Sequence, residues 1–470
     1  MRTAQNAFWL TACRLSGDVL NLLLFVLISR QFGPAGVGEY SYGFAIATFV
    51  FVIGCLGIYE YGIRQYARME PARQPVFLAE LLGTQTVMLA IALAGLAIYL
   101  LATGPTLPKL VIIFELACYQ ITAAVAMSLF IPEMAAQRMA GPALSELAAR
   151  AVAFIGAGIA IYAAHASLPL ALLGFPFGAL VWMTLAIRSA RRRGPLRVTL
   201  SRAGVGRIGG IIWSFALIEI FGQLFARVGV IVLSLAVSDA AAGQFATGLR
   251  LIDTAIVPLG FLGIAMYPRL SQLFGTDLPV FRRSASDLLL LSYLAGLLVA
   301  WGLYFVAPSV LVPVLGARFA GTEGIIQLMA AVALVQAIEA GLGRVLLSAD
   351  LQVPRALYIA AGAVVSVGVN VALVPRFGLD GAIVAAVAAY LVINLLSLAA
   401  LRRPMTLGAL IPSLVMLGAG VLLVMGIAWL LARQGWGVAA QAAATGAAVL
   451  LVAAVSYGYR LRFRAAALVR

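Results

Sequence analysis

The sequence is short of charge, histidine, cysteine and lysine, and it has no long polar stretch. Only 10% of its 470 residues are charged and 63% are hydrophobic, whereas soluble domains usually run at roughly 25% and 45–50%. No polar run exceeds about twenty residues, which excludes a separate water-soluble domain. The single histidine, His165, falls in a short loop and reads as solvated. The three cysteines, Cys13, Cys55 and Cys118, are scattered through apolar runs. They have neither metal-ligand spacing nor a disulfide pattern and read as small hydrophobes. There is no Ser/His/Asp set, no metal-ligand cluster and no phosphate-cradling glycine loop. The expectation is therefore no enzyme, no ATPase in one chain, no cofactor and no metal. Of the 32 basic residues, 31 are Arg. The net charge of +15 does not point to nucleic acid, because the basic residues follow the loops between apolar segments.

What the chain has is hydrocarbon in membrane-length pieces. About twenty apolar residues cross roughly 30 Å of hydrocarbon, and that window predicts an all-α polytopic protein. Fourteen spans are expected, at residues 8–30, 38–62, 78–102, 108–131, 142–164, 168–188, 208–236, 241–266, 286–307, 322–348, 354–374, 380–400, 408–431 and 437–458. The first is too long and too polar for a signal-peptide core, so it is read as an uncleaved span. With both termini inside, the inner loops and tails hold 22 basic residues and the outer loops hold five, Arg30, Lys109, Arg318, Arg376 and Arg433. That bias places the N- and C-termini in the cytoplasm.

The longest basic loop runs from Arg188 to Arg207, midway through the first twelve spans. It divides the chain into a six-helix lobe at 1–190, a cytoplasmic linker at 191–207 and a second six-helix lobe at 208–401. Two extra helices and a basic tail follow at 402–470. The run of arginines is itself read as a topology determinant held near anionic headgroups.

Polar residues interrupt two of the spans at helical spacing. Arg14, Asp18 and Asn21 lie in the first; Glu219, Gln223 and Arg227 lie in the seventh, and an offset of 205 carries Arg14 onto Glu219, Asp18 onto Gln223 and Leu22 onto Arg227. Steps of three and four residues put each set on one helix face. The same offset relates Gly38-Glu39-Tyr40-Ser41-Tyr42-Gly43 to Gly243-Gln244-Phe245-Ala246-Thr247-Gly248, and Arg64 to Arg269. Six spans per unit would make this a parallel repeat, and repeat-built transporters place their sites at the repeat interface. Arg14, Arg150, Arg227, Arg250 and Arg344 all fall inside spans. Unpaired and facing lipid, they would cost on the order of 15 kcal/mol at about 3 kcal/mol each. The spacing offers the pairs Arg14–Asp18, Glu146–Arg150 and Arg250–Asp253. Glu146–Arg150 looks structural, on a peripheral fifth span; Glu339 and Arg344 are five apart, with packing and function equally open. Trp9, Trp213, Tyr42 and Phe245 read as anchors or core before sugar-stacking rings.

The run Asn6-Ala7-Phe8-Trp9, then Arg14, Gly17, Leu20-Asn21 and Ile28-Ser29-Arg30-Gln31-Phe32-Gly33-Pro34-Ala35-Gly36-Val37-Gly38-Glu39-Tyr40, resembles the opening of the polysaccharide transporter family. That family holds the O-antigen flippases and belongs to the multidrug/oligosaccharidyl-lipid/polysaccharide exporter superfamily. Tyr267-Pro268-Arg269-Leu270 and the stretch Leu373-Val374-Pro375-Arg376-Phe377-Gly378-Leu379-Asp380-Gly381-Ala382 are further echoes. The resemblance implies an inner-membrane flippase for a polyprenyl-pyrophosphate-linked oligosaccharide in surface polysaccharide, O-antigen or lipopolysaccharide biosynthesis. It also implies a cavity between the lobes, reached by the first, seventh and eighth spans.

Arginine binds phosphate bidentately and stays charged, so Arg14, Arg227 and Arg250 are the substrate-binding candidates. Asp18, Asn21, Glu219, Gln223 and Asp253 are the candidates for cavity polarity or coupling to H+ or Na+. The partners expected are the lipid-linked glycan, membrane lipids and a coupling cation, with no nucleic acid. Three rivals stay open: a cation-coupled multidrug exporter, a peptidoglycan-precursor flippase, and a membrane polymerase or ligase. The short outer loops weigh against the last.

Overall fold

The computed structural model describes residues 2–193, 196–402, 404–405 and 407–468. Among them there is no strand. The helices are α1 (Arg2–Cys55), α2 (Ile58–Arg68), α3 (Gln74–Thr103), α4 (Leu107–Leu129), α5 (Ile131–Ala135), α6 (Ala140–Tyr162), α7 (Leu168–Leu172) and α8 (Gly174–Arg191). They continue with α9 (Arg202–Ala236), α10 (Asp239–Thr276), α11 (Leu278–Trp301), α12 (Ala307–Leu315), α13 (Glu323–Ser348), α14 (Gln352–Leu401), α15 (Leu407–Arg433) and α16 (Val438–Leu468). Eleven described stretches are long and apolar enough to cross a membrane. Two of these hold a broken helix each, and the shorter apolar segment Gly418–Arg433 adds one more, which accounts for the fourteen spans expected.

Both breaks fall on the same local sequence, Phe-Gly. In α1, Gly33 has φ 67° and ψ −165°; in α14, Gly378 has φ 56° and ψ −127°. A side chain with a Cβ is strained at such positive φ, and Pro34 and Pro375 withdraw a backbone donor beside each break. The two limbs of α1 therefore run in opposite directions. Asn6, early in the first limb, donates to the Gln137 carbonyl at 2.8 Å. The second limb ends with Gly54 against Ala124 and Leu89.

The chain forms two compact units, Met1–Gly243 and Gln244–Arg470. In the first, α6 packs on α8 and α1, and α4 on α1 and α8, while α9 lies on α1 and α3. The linker is docked on this unit: the Thr199 N–H donates to the Ala79 carbonyl at 3.0 Å. In the second unit α13 packs between α11 and α14. Its core gathers Phe281, Leu288, Leu289, Tyr293, Leu342 and Leu346. The two C-terminal helices pack on each other and on α11, where Leu297, Val424, Ala448 and Val449 form a small core and Trp301 Nε1 donates to Thr445 Oγ1 at 3.1 Å. Large apolar side chains such as Leu101, Phe114 and Leu422 are exposed, as a hydrocarbon surround requires.

One contact in the first unit has a reciprocal form. A Cβ on Gly38 would lie 1.7 Å from the Asp239 carbonyl oxygen, and one on Gly243 would lie 1.8 Å from the Pro34 carbonyl oxygen. Adding 205 to 34 and 38 gives 239 and 243, so each glycine meets the counterpart of the residue that its own counterpart meets. Only residues without a side chain allow the second limb of α1 and the first turn of α10 to approach this closely.

Candidate functional site

The polar stripe of α1 is built differently from the pairs that spacing suggests. Asp18 does not pair with Arg14. Its Oδ1 accepts from Arg150 Nη1 on α6 at 3.2 Å, and Nη2 of the same guanidinium binds Glu146. Gly17 opens the way, since a Cβ there would lie 2.7 Å from Arg150 Nη1. An exposed i,i+4 pair is worth only about 0.3–0.5 kcal/mol, so Asp18 goes to a guanidinium that reaches it from α6 while also holding Glu146 on its own helix. The fifth span, α6, packs on α1, holds the expected Glu146–Arg150 pair and carries the cation that ties Asp18 down. Arg14 is left exposed, without an ion pair among the described residues, and Asn21 is half-buried on the same helix.

The stripe of α9 is knit along its own face. Gln223 Nε2 donates to Glu219 Oε1 at 3.1 Å. One turn on, the Arg227 guanidinium lies over the Phe44 ring of α1, 5.3 Å from its centroid. A cation over an aromatic face is stabilised by the ring quadrupole. The first unit thus brings Asp18, Glu146 and Arg150 together through one guanidinium. It places Arg227 beside α1 and leaves Arg14 on the α1 surface.

In the second unit the expected Arg250–Asp253 pair is absent. Asp253 accepts from Gln336 Nε2 at 3.1 Å, and Arg250 has no ion pair among the described residues. Glu339 pairs with Arg355 at 2.8 Å, while Arg344 lays its stem against Gly263. In both cases a side chain from a neighbouring helix or helix start supplies better geometry than one on the same helix face.

Tyr42 and Phe245 are buried, at 1% and 3% exposure, and pack. The Tyr42 hydroxyl bonds that of Tyr99 at 2.9 Å. Trp9 is half-buried, and the Trp213 side chain lies outside the described residues. His165 is exposed.

Two features escaped the sequence reading. Lys109, counted there only as an outer-loop charge, pairs with Asp239 at 2.7 Å, donates to Ser234 Oγ at 3.3 Å and sits over the Tyr42 ring. Ser234 itself donates to Asp239 at 2.6 Å. This cluster flanks the Gly38–Gly243 crossing and locks α4 to the first turn of α10. The second is Glu115, in the middle of α4, which is 3% exposed with no partner for its Oε2. A lone carboxylate in a membrane span is a functional signal by itself. No group of three or more His, Cys, Asp or Glu able to hold a metal occurs among the described residues.

The sequence profile of the family described as "Polysaccharide biosynthesis protein" matches residues 3–274. The chain belongs to this family. No curated protein sequence matches the chain. Among solved structures, the chain is similar to one titled "Lipid II flippase MurJ, inward closed conformation". The TM-score is 0.76 at 12% identity, covering 96% of this chain and 99% of that one. It is also similar to an inward-facing multidrug resistance MATE family transporter of the MOP superfamily, with TM-score 0.58, 13% identity, and 83% and 95% of the two chains covered. A eukaryotic MATE transporter follows at TM-score 0.53 and 12% identity, with 85% and 95% covered. At these identities the likeness is one of fold. Family and fold together make the chain a polytopic, all-helical member of the polysaccharide biosynthesis family, with a fold like that of these solved transporters.

Proposed function

We propose that the protein translocates a polyprenyl-pyrophosphate-linked oligosaccharide across the bacterial inner membrane by alternating access, for surface polysaccharide synthesis of the O-antigen or lipopolysaccharide kind. The observation that carries this reading is Arg14: a guanidinium within a membrane span, exposed and without an ion pair because Asp18 is held by Arg150. Such a charge is too costly against lipid and belongs in a wet cavity or against an anion. Arg227 in the same unit, and Arg250 in the second, offer the same chemistry. A diphosphate presents two negative charges and several acceptor oxygens to these planar forks. Asp18, Asn21, Glu219, Gln223 and Asp253 moderate that field or hold the coupling H+ or Na+. The termini and the linker lie in the cytoplasm, and the halves 1–190 and 208–401 act as the moving lobes. The reciprocal Gly38–Gly243 contact supports their origin as a duplicated unit. Outward release then requires the Lys109–Asp239 contact to part.

The test compares Arg14→Ala with Arg14→Lys, scoring surface glycan and membrane protein level together. Losing a charge-assisted contact of about 1.5–3 kcal/mol weakens substrate binding roughly 10- to 150-fold at about 1.4 kcal/mol per tenfold. Lys restores part of it, because it keeps the charge and loses the fork. Full export at normal abundance in both variants overturns the assignment.

A second reading, flipping of a peptidoglycan precursor, is favoured by the fold likeness to the lipid II flippase. Depletion of the host's own lipid II flippase separates the two, since only this reading predicts that the chain restores growth.

A further inference from the structure

The last two turns of α8 carry an arginine set for which transport has no use. Thr184, Ile187, Arg188, Arg191 and Arg192 line an open, shallow depression of about 550 Å³ on the surface of this one helix end. Thr184, Arg188 and Arg191 follow one another at steps of four and three residues and so share a helix face. All three arginines are exposed, and none has an ion pair among the described residues. Their neighbour differs: Arg193 lies 3.7 Å from Glu133, which also accepts from the Ser189 hydroxyl. That carboxylate is thus engaged elsewhere, and the depression keeps three uncompensated positive charges. The carbonyl end of a helix ordinarily repels an anion; here the guanidinia reverse the sign.

The same face continues toward the hydrocarbon as an apolar track. Leu180 and Phe177, four and seven residues before Thr184, are 62% and 59% exposed. At about 1.5 Å per residue, Phe177 to Arg191 spans roughly 21 Å, the reach of a headgroup with the upper part of its chain. A topology signal needs only net positive charge in the loop, which Arg197, Arg202 and Arg207 also supply. It does not need three guanidinia converging on one depression above an apolar track.

We propose that this depression binds the phosphate headgroup of an anionic phospholipid whose acyl chain lies along Leu180 and Phe177. The site lies within the first unit and is independent of the cargo assignment: it stands whichever lipid-linked molecule the protein moves.

The test is native mass spectrometry of the full-length protein in detergent, titrated separately with dioleoyl phosphatidylglycerol, dioleoyl phosphatidylcholine and inorganic pyrophosphate. One phosphatidylglycerol is expected to bind at least tenfold more tightly than phosphatidylcholine. The triple change Arg188→Gln, Arg191→Gln and Arg192→Gln removes that preference, and the triple Lys variant keeps most of it. Leu180→Ser weakens phosphatidylglycerol and leaves pyrophosphate unaffected. Arg193, Arg197, Arg202 and Arg207 remain to hold the loop inside, and the single Arg191→Gln serves should the triple change fail to fold. Equal binding of the two phospholipids, or a preference indifferent to the arginines, overturns the proposal. Pyrophosphate displacing phosphatidylglycerol at equal affinity, with Leu180→Ser silent, also overturns it and leaves a site for free phosphate.

Discussion

Adding one methyl group at Gly38 tests the closest backbone approach in the first unit. A Cβ there would lie 1.7 Å from the Asp239 carbonyl oxygen and 3.0 Å from the Gly243 nitrogen. Carbon and carbonyl oxygen rest no nearer than about 3.3 Å, so the second limb of α1 and the first turn of α10 must separate by roughly 1.5 Å. Both contacting groups are backbone, and no side-chain rotation relieves the clash. Overpacking of this kind costs about 1–3 kcal/mol, and the upper end is expected. Gly243→Ala meets the Pro34 carbonyl oxygen at 1.8 Å and should cost the same. The double variant should cost less than the two together, because the second methyl enters a gap that the first has opened. Gly95→Ala is the control: nothing lies within 4 Å of it, and replacing an exposed helical Gly by Ala stabilises by up to about 1 kcal/mol. Thermal stability of the detergent-purified protein, followed by the recovery of monodisperse material after heating, reads all four. A Gly38→Ala protein as stable as Gly95→Ala, or strictly additive costs, would refute the reciprocal contact.

Arg150→Ala strands Asp18 and Glu146 together and should lower membrane abundance, as loss of about 2–3 kcal/mol of charge-assisted bonding implies. Adding Asp18→Asn and Glu146→Gln to it should recover most of the protein, and a failure to recover would argue against the shared guanidinium. Glu115→Gln replaces a buried carboxyl by an amide of the same shape and is expected to keep or raise abundance. Glycan export lost at normal abundance would instead show that the carboxyl takes part in transport. An introduced cysteine at Ser167 should react with impermeant maleimide from the periplasm and one at Ser201 only from the cytoplasm; labelling of Ser201 in intact cells would invert the topology.

Hydropathy made the helices legible because a membrane span is a local property: twenty consecutive residues meet the solvent that selects them. The two breaks fall between spans that hydropathy had already separated, 8–30 from 38–62 and 354–374 from 380–400. The pair Glu146–Arg150, one turn apart, was legible too; the pairings between helices were not. Spacing offers Asp18 only the partners one turn away on its own helix, whereas its cation, Arg150, stands 132 residues along the chain. Lys109 likewise looked like a loop charge because its partner Asp239 is as remote in sequence. The repeat singled out Gly38 and Gly243 as equivalents. That the two touch is a property of the folded chain, which spacing alone does not hold.

Lys109 is the only lysine in a chain with 31 arginines, and its side chain is 16% exposed beside Asp239. Apart from the N-terminus, an amine-directed acylating reagent therefore has one target in the whole protein. While the ion pair holds, that amine is shielded; when α4 parts from the first turn of α10 it is open to reagent in water. The rate of a single acylation thus becomes a clock for the opening of this contact in the unmodified protein, with no engineered label.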